Sequence, residues 1–350
     1  MFGTHVWANL GGLKIDRMKT LPPPARRDQQ YQDSFKRSEG WLGADGAYSL
    51  PLSAERTLWV FSDTVAGQPG GPISMTHNSL ALETPDGFEF SEKQAFTPPD
   101  GRGWFWVYDG APARQEDHQQ LFLGRFENAP GPEGFNFRFV DTWLADVKTG
   151  DHVGQVEVTA YRKLSELLPG LRGSEGAALH FGAALCEDEQ YRYVYGTQDF
   201  GWSKQLVLAR VPRGDDLLAS DHHWEVFQEG GWGPPGPVIP LKDGAGKALE
   251  VANELSVFRR QGEYWMVTQV GNEVRLLRSE RPEGPFEQAA AHPVKEEHPG
   301  SFTYNAKGHE QEIDERGLLV TYNRNVLPFG ELVAHPEQYQ PQFFRVPLPQ

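Results

Sequence analysis

The chain has 350 residues and a formal net charge of −15, with 48 acidic side chains against 33 Lys and Arg. Because proteins bind a phosphate backbone through clustered Lys and Arg that displace counterions, this charge argues against a nucleic-acid partner. No apolar stretch approaches the roughly 18 residues that cross a bilayer, and the N-terminus lacks the charged and then apolar order of a signal peptide. We therefore expect a soluble chain without a membrane partner, either cytoplasmic or secreted in a processed form.

Residues 1–40 carry little regular pattern beyond the extended stretch Leu21-Pro22-Pro23-Pro24. We expect them to pack along the outside of the following domain or to help close it. Residues 41–350 are assigned to one domain. Its single cysteine, Cys186, excludes an intramolecular disulfide and lies in an apolar run, so we interpret it as a small buried hydrophobic residue.

One strand type, rich in β-branched and aromatic residues, recurs along this domain. Its copies are at residues 57–61, 120–124, 191–195, 263–267 and 317–321. Each copy follows another strand across a short polar turn and precedes a third strand, at residues 78–83, 141–147, 205–211, 274–280 and 342–346. Helical periodicity is confined to residues 162–168 and 215–219.

The spacing of these units is roughly 55 to 75 residues, which is typical of the blades of a β-propeller. Each unit is a small antiparallel sheet that cannot bury both of its faces alone, so stacking around an axis is favoured. The sequence therefore predicts an all-β fold, a five-bladed β-propeller. A β-sandwich, or a mixture of sandwich and barrel, fits five hairpin-plus-strand units less economically.

In a propeller the first strand of each blade lines the central funnel, so polar residues near the starts of these strands should converge. The candidate substrate-binding residues are Asp45, Asp109, His180 with nearby Glu175, Asn253 with Glu254, and Asn305 with Lys307 and His309. Flat aromatic rings stack on sugar faces, and the tryptophans beside Gly-rich loops are candidate platforms. These are Trp41, Trp104, Trp106, Trp202 and Trp232.

Asp45 and Asp63 bracket one predicted hairpin in the first unit. Hydrolysis of a glycosidic bond needs one protonated and one ionised carboxyl on either side of a sugar, and antiparallel neighbouring strands can supply that pair. Structural roles remain open for both residues. Asp45 with Gly46 is also a turn signal, and Asp63 with Thr64 can cap a turn, as the similar Asp141 in the next unit indicates.

Two segments of the first unit, residues 33–49 and 56–64, resemble the propeller proteins of domain-of-unknown-function families 4185 and 5005. Later segments around His180, Asn253 and Tyr304 are similar as well, so the resemblance covers roughly residues 33–346. Some relatives are similar to glycoside hydrolase family 183, endo-acting enzymes that cleave D-arabinan, and more distantly to families 43 and 117.

This resemblance implies a glycosidase. The family 183 pattern implies that Asp45 and Asp63 are the catalytic carboxylates. The family 43 pattern implies instead a base at Asp45, a pKa-modulating acid at Asp109, an acid of the third blade near Glu175 and an axial histidine near His309. The sequence departs from that pattern around His309, where Gly308-His309-Glu310 stands.

We hypothesise hydrolysis of an oligo- or polysaccharide, arabinan-like through the resemblance, with Asp45 and Asp63 as acid and base and with inversion at the anomeric carbon. The alternative is a lectin-like propeller that binds glycans without cleaving them. A protein-interaction scaffold is disfavoured because no Gly-His to Trp-Asp signature recurs.

No cofactor is required for this chemistry, and an axial ion such as Ca²⁺ is left open. The run Asp221-His222-His223 lies in a predicted loop, where adjacent side chains point to different faces, so we predict no metal site there. The sequence does not address the oligomeric state.

Overall fold

The computed structural model describes residues 24–68, 70–132, 134–218, 223–294, 300–326, 330 and 334–349. Residues 1–23 of the predicted N-terminal segment, Ala219 of the second predicted helix, and Asp221 and His222 lie outside the described residues. The candidate site residues all fall on described parts of the chain.

The fold is all-β. Its strands in chain order are β1 (Arg26–Arg27), β2 (Gly40–Ala44), β3 (Tyr48–Ser53), β4 (Arg56–Phe61), β5 (Thr64–Gly67), β6 (Ile73–Thr76), β7 (Ser79–Thr84), β8 (Gly87–Ser91), β9 (Trp104–Pro112), β10 (His118–Asn128), β11 (Phe137–Lys148), β12 (Glu157–Lys163), β13 (Ala178–Glu187), β14 (Tyr191–Asp199), β15 (Lys204–Pro212), β16 (Glu225–Gln228), β17 (Gly231–Gly233), β18 (Ser256–Arg260), β19 (Glu263–Val270), β20 (Glu273–Ser279), β21 (Glu287–Pro293), β22 (Ser301–Asp314), β23 (Gly317–Val326) and β24 (Gln342–Val346). Within the described ranges, the helices are α1 (Gln29–Ser34), α2 (Leu164–Leu167) and two 3₁₀ turns at Val153–Gln155 and Pro336–Tyr339.

Five antiparallel sheets of four or five strands follow one another along the chain. Their strand orders are β3-β4-β7-β8, β9-β10-β11-β12, β13-β14-β15-β16-β17, β18-β19-β20-β21 and β22-β23-β24-β1. A smaller sheet, β2-β5-β6, adjoins the first of them. The repeated strand predicted from the sequence is the second strand of each large sheet, which confirms all five copies.

The first strands of the five sheets form a closed ring of contacts. β3 packs against β9, β9 against β13, β13 against β18, β18 against β22, and β22 returns to β3. Each neighbouring pair of sheets also shares one hydrophobic cluster, such as the one that contains Leu58 of the first sheet and Leu121 of the second. Cys186 lies in the cluster between the third and fourth sheets, which confirms its interpretation as a buried residue.

Two predicted helices are wrong or shortened, for local reasons. Residues 162–163 belong to β12, where Lys163 pairs with Trp143 of β11, so only Leu164–Leu167 is helical. Residues 215–218 form no helix because the backbone N–H of Leu217 donates to the Gln120 side chain instead of a helical carbonyl, at 2.6 Å. Among the described residues, no helix is long and apolar enough to span a membrane.

The N-terminal strand completes the last sheet. β1 pairs antiparallel with β24, with Arg26 opposite Arg345. Asp28, at the N-cap of α1, accepts from the Nε of Arg345 at 2.7 Å, and both side chains are almost fully buried. This ion pair therefore joins the two ends of the chain inside the protein.

Replacing Arg345 by Met should reduce the free energy of unfolding by about 3 kcal/mol or more, because the carboxylate of Asp28 would be left buried without its main partner. Urea unfolding followed by circular dichroism measures the loss. The matched control is Lys36→Met, which removes an exposed ion pair with Asp33 and should change little. Equal effects of the two substitutions would contradict the assignment of the Asp28–Arg345 pair as a closing contact.

Candidate functional site

Asp45 and Asp63 lie side by side at the open end of the β3–β4 hairpin. Asp45 follows β2 and precedes β3, while Asp63 directly follows β4. The backbone N–H of Asp45 donates to the carbonyl of Asp63 at 3.1 Å, and that of Ser62 donates to the carbonyl of Asp45 at 2.9 Å. The two aspartates are thus brought together by the backbone itself.

Gly46 is required at this junction. Its φ is +79°, in the left-handed region, and a Cβ built there would lie 2.9 Å from the backbone nitrogen of Ser62. The Asp45-Gly46 pair therefore makes a tight connection between β2 and β3, and the glycine lets the backbone around Asp45 approach the end of β4.

The two oxygens of the Asp45 carboxyl group differ in their hydrogen bonds. Its Oδ2 accepts from the hydroxyls of Tyr304 and Tyr339, each at 2.8 Å. Its Oδ1 is buried and has no hydrogen-bond partner among the described residues. Burial, followed by the charges of Asp63 and Glu254, raises the pKa of Asp45 to about 8. At neutral pH Asp45 is therefore a carboxylic acid, and its proton belongs on Oδ1.

Asp63 is held in a different environment. Its Oδ1 accepts from the indole Nε1 of Trp106 at 2.9 Å and lies 2.9 Å from Nδ1 of His77. His77 in turn stacks on Trp104, with ring centroids 4.5 Å apart. Because an indole nitrogen can only donate, Oδ1 of Asp63 acts as an acceptor here. The second oxygen, Oδ2, has no hydrogen-bond partner in the part of the chain that the structure describes.

Glu254 and Lys307 form a buried pair beside the aspartates. Oε2 of Glu254 accepts from the ammonium of Lys307, and Oε1 accepts from Asn305 at 2.8 Å. Burial raises the pKa of Glu254 above its ordinary value, although Lys307 opposes this shift. Lys307 is almost completely buried and also lies over the ring of Tyr48, 4.3 Å from its centroid. Glu254 is therefore hydrogen-bonded to both Lys307 and Asn305, and its negative charge contributes to the raised pKa of Asp45.

Local irregularities in the first strands direct these side chains. The β22–β23 register shifts between Tyr304 and Lys307, where Asn305 has a φ of +58°. Similar shifts occur in β13 between Phe181 and Ala184, and between β9 and β10 next to Asp109. Because a bulge adds one residue to a strand and re-aims its neighbours, both Tyr304 and Asn305 reach the site.

His180 and Asn253 lie together around Asp199. Nδ1 of His180 lies 2.9 Å from the hydroxyl of Tyr108, and its Nε2 lies 4.0 Å from Oδ2 of Asp199. The amide of Asn253 donates to the same oxygen at 2.5 Å. Burial, which outweighs the nearby charge of Asp199, lowers the pKa of His180 to about 4, so its imidazole is neutral at physiological pH.

Asp109 and His309 lie further along the first strands, around a separate cavity of about 90 Å³ that Lys307 and Glu310 also line. Asp109 accepts from the backbone N–H groups of Leu185 at 2.7 Å and Gly110 at 2.8 Å, and burial raises its pKa to about 7. The structure therefore groups Asp109 with this cavity rather than with Asp45 and Asp63.

His309 uses both ring nitrogens within the protein. Nδ1 lies 2.6 Å from Oγ of Ser49, and Nε2 lies 2.9 Å from Oγ1 of Thr321. Burial, with Lys307 and Arg345 nearby, lowers the pKa of His309 to about 3. Its imidazole thus has no free nitrogen for a ligand in this conformation.

Two other predicted residues lie apart from the paired aspartates. Trp41 is 2% exposed and packs against Phe35 and Phe90, so neither of its ring faces is open to a sugar. Glu175 is exposed in the turn before β13 and has no hydrogen bond or ion pair with any described residue. Trp106, in contrast, is at the site through its bond to Asp63.

Four residues at or near the site were not predicted from the sequence: Tyr304, Tyr339, His77 and Asp199. Tyr304 was adjacent to the predicted Asn305 and needed only the bulge to reach the site. Asp199 stands directly before the Phe-Gly-Trp turn between β14 and β15. Tyr339 lies after β23 in a 3₁₀ turn, and no strand or helix periodicity in the sequence indicates this turn. Among the described residues, no three His, Cys, Asp or Glu side chains are grouped as a metal ion would require.

These observations define an all-β chain whose five larger sheets form a ring through their first strands, with two aspartates side by side at the end of the first hairpin. The sequence matches, over residues 28–347, the family described as Domain of unknown function (DUF5005). The chain therefore belongs to this family, as its resemblance predicted. A search of the curated proteins returned no match.

Several solved structures are similar. One is a Bacteroides ovatus protein provisionally described as a hydrolase, at 19% identity and a TM-score of 0.69, covering 92% of this chain and 90% of that one. A Cellvibrio cellulosa α-L-arabinanase mutant is less similar, at 9% identity and a TM-score of 0.47, covering 87% of this chain and 91% of that one. A Xanthomonas citri GH43_1 enzyme complexed with xylotriose has 12% identity and a TM-score of 0.46, covering 90% of this chain and 92% of that one. The first similarity shows the fold of the chain.

The raised pKa of Asp45 predicts a pH-dependent stability. Between its unfolded pKa near 3.8 and its folded pKa of about 8, the folded state binds the extra proton, so rising pH destabilises the protein. Replacing Asp45 by Asn should remove this loss, up to about 1.4 kcal/mol per pH unit. Thermal unfolding of both proteins from pH 5 to pH 9 measures the difference.

The control for this experiment is Asp86→Asn, which changes an exposed carboxylate in the β7–β8 turn and should leave the pH dependence as it is in the parent. Parallel stability curves for the parent and the Asp45 variant would show that Asp45 is not held protonated.

Proposed function

We propose that the chain is a five-bladed β-propeller glycoside hydrolase that cleaves an oligo- or polysaccharide, with Asp45 as general acid and Asp63 as general base. The observation that carries the proposal is the pair of aspartates that are joined by a backbone hydrogen bond and whose carboxyl groups have different partners. Asp45 has a pKa of about 8 and an unoccupied Oδ1, whereas Asp63 is oriented by the indole of Trp106. Acid and base assignments in such sites follow from environments of this kind.

In the proposed reaction the proton on Oδ1 of Asp45 passes to the glycosidic oxygen as its bond to the anomeric carbon breaks. Because Oδ1 is buried in this structure, the reaction requires that substrate binding brings this oxygen into contact with the glycosidic oxygen. A water molecule attacks that carbon and gives its proton to Oδ2 of Asp63, the oxygen that has no hydrogen-bond partner among the described residues. The Asp45 carboxylate that results keeps two donors, the hydroxyls of Tyr304 and Tyr339, on Oδ2. Those donors stabilise the charge that develops as the proton leaves.

We propose inversion of the anomeric configuration, which requires room for a water molecule between the sugar and Asp63 and a carboxyl separation of roughly 6.5 to 9.5 Å. We further propose an arabinan-like polymer as substrate and endo-acting cleavage. These finer proposals rest on the resemblance to glycoside hydrolase family 183. Proton NMR of the first-formed sugar anomer distinguishes inversion from retention, in which Asp63 would be the nucleophile.

Asp45→Asn and Asp63→Asn should each lower the rate of polysaccharide cleavage by about 10²- to 10⁴-fold while glycan affinity is kept, because each removes a proton-transfer group. The measurement is the release of reducing ends from a panel that includes arabinan and xylan, with products resolved by size. Asp109→Asn is the matched control: it removes a buried carboxyl of raised pKa from the separate cavity and should leave activity within tenfold.

Glycan binding by the parent protein without release of reducing ends on any member of the panel would favour the lectin-like alternative. A loss of activity in the Asp109 variant as large as in the Asp45 variant would contradict the assignment of the acid and base pair.

Tyr339→Phe should shift the alkaline limb of the pH–rate profile to higher pH. The hydroxyl of Tyr339 lowers the pKa of Asp45 by donating to its charged form, so its removal raises that pKa above about 8. The maximal rate should also fall, because ionised Asp45 keeps one donor instead of two. Rates from pH 5 to pH 10 test this, with Tyr161→Phe in the second sheet as control. A shift of the limb to lower pH would contradict the proposed role of Asp45.

A further inference from the structure

Trp202 is the most exposed large apolar side chain in the described part of the chain. It lies in the turn between β14 and β15 and its side chain is fully in solvent, and Phe200 two residues earlier is 41% exposed. An indole in water forgoes the free energy of burial, and no packing contact of the fold explains its position.

The turn that carries Trp202 is held rigidly. The N–H of Phe200 donates to the carbonyl of Ser203 at 2.9 Å, and that of Gly201 donates to Oδ1 of Asp199 at 2.7 Å. Lys204 closes the turn by donating to the carbonyl of Gly201 at 2.6 Å. The indole is therefore presented from a fixed backbone, which limits the entropy lost when a ligand stacks on it.

The same turn begins at the candidate functional site. Asp199, whose Oδ1 fixes the turn, accepts on Oδ2 from Asn253 and lies 4.0 Å from His180. Asn253 precedes Glu254, which accepts from Asn305, and the neighbouring Tyr304 donates to Asp45. Hydrogen bonds and adjacent residues thus connect the turn with Asp45. The turn lies where β13 begins, as Asp199 pairs with Ala178, and Asp45 lies just before β3 begins.

We propose that Trp202 is the platform of a distal saccharide subsite, which stacks on one neutral sugar ring of an extended glycan while another part of that glycan lies at Asp45 and Asp63. The inference rests on the proposed carbohydrate ligand. A sugar ring has an apolar face of about the size of an indole and polar edges, which suits an isolated aromatic residue between Gly201 and Ser203.

Other occupants fit less well. A stable protein partner requires roughly 800 Å² on each side, far more than one indole and one partly exposed phenyl ring provide. An anionic membrane surface attracts basic segments, whereas this chain carries a net charge of −15, and Lys204 is within 3.6 Å of Asp199.

The test measures binding separately from cleavage. In a protein that carries Asp45→Asn, affinity electrophoresis in gels containing arabinan, xylan or β-glucan gives polymer affinity, and calorimetry with a disaccharide gives affinity for a short ligand. Trp202→Ala should weaken binding to the retained polymer by about tenfold and leave disaccharide binding unchanged, and Trp202→Phe should keep most of the polymer affinity. The control, Met75→Ala, removes another exposed apolar side chain, 47% exposed, on β6 and should have no effect.

Each result decides the inference. Polymer binding that is unchanged in the Trp202→Ala protein, or weakened equally by Met75→Ala, overturns it, as does the absence of binding to every polymer. It is also overturned if the Trp202→Ala change instead abolishes binding to phosphatidylserine vesicles or self-association in solution. Polymer binding that depends on Trp202 in a protein whose parent cleaves nothing leaves the subsite standing and overturns only the proposed hydrolysis. If the parent cleaves a polymer and the Trp202→Ala change leaves polymer binding as it was, the proposed hydrolysis stands and the subsite is overturned.

Discussion

The structure depends on the requirement that every sheet must cover both of its faces with apolar neighbours. Five sheets meet this requirement because the fifth packs against the first, and the strands β3, β9, β13, β18 and β22 then form a closed ring of contacts. Were the ring open between the fifth and first sheets, the hydrophobic cluster that they share, which contains Trp59 and Phe343, would lose one half. Closure also explains why β1 and β24, from opposite ends of the chain, share a sheet and a buried ion pair.

The chemistry of the site follows from the same closure. Side chains on the inner strands face one another where water is scarce, so an ionised carboxyl there is destabilised unless it has partners. Glu254 has Lys307 and Asn305, and Asp63 has Trp106 and His77. Within the described part of the chain, the partners of Asp45 are two tyrosine hydroxyls on one oxygen, and burial and two negative neighbours favour its protonated form. The difference in partners thus separates the two aspartates chemically although their backbones are hydrogen-bonded to each other.

Much of the fold was predictable from the sequence, since strand repeats with polar turns are local signals. The hairpin that pairs Asp45 with Asp63 was predictable for the same reason. The sequence predicted that Asp109 would lie close to Asp45, but the structure places it at a separate cavity further along the first strands. A position near the start of a first strand indicates that a side chain faces the centre of the ring, but it does not give its height along the strand. The bulge at Asn305 and the hydrogen bond from Tyr339 to Asp45 depend on tertiary packing. The pattern of apolar and polar residues along the sequence therefore predicts neither of them. Burial of Trp41 was equally hidden, since a Gly-rich flank does not reveal what covers a ring.

The two hydroxyls that hold Asp45 are 259 and 294 positions away from it along the chain. During synthesis the aspartate emerges early, whereas Tyr304 and Tyr339 arrive only with the final strands. Until then the acidic group has neither its shelter from water nor its donors, and it behaves as an ordinary surface carboxylate. The environment that raises the pKa of Asp45 is therefore complete only when the strands up to β24 have assembled.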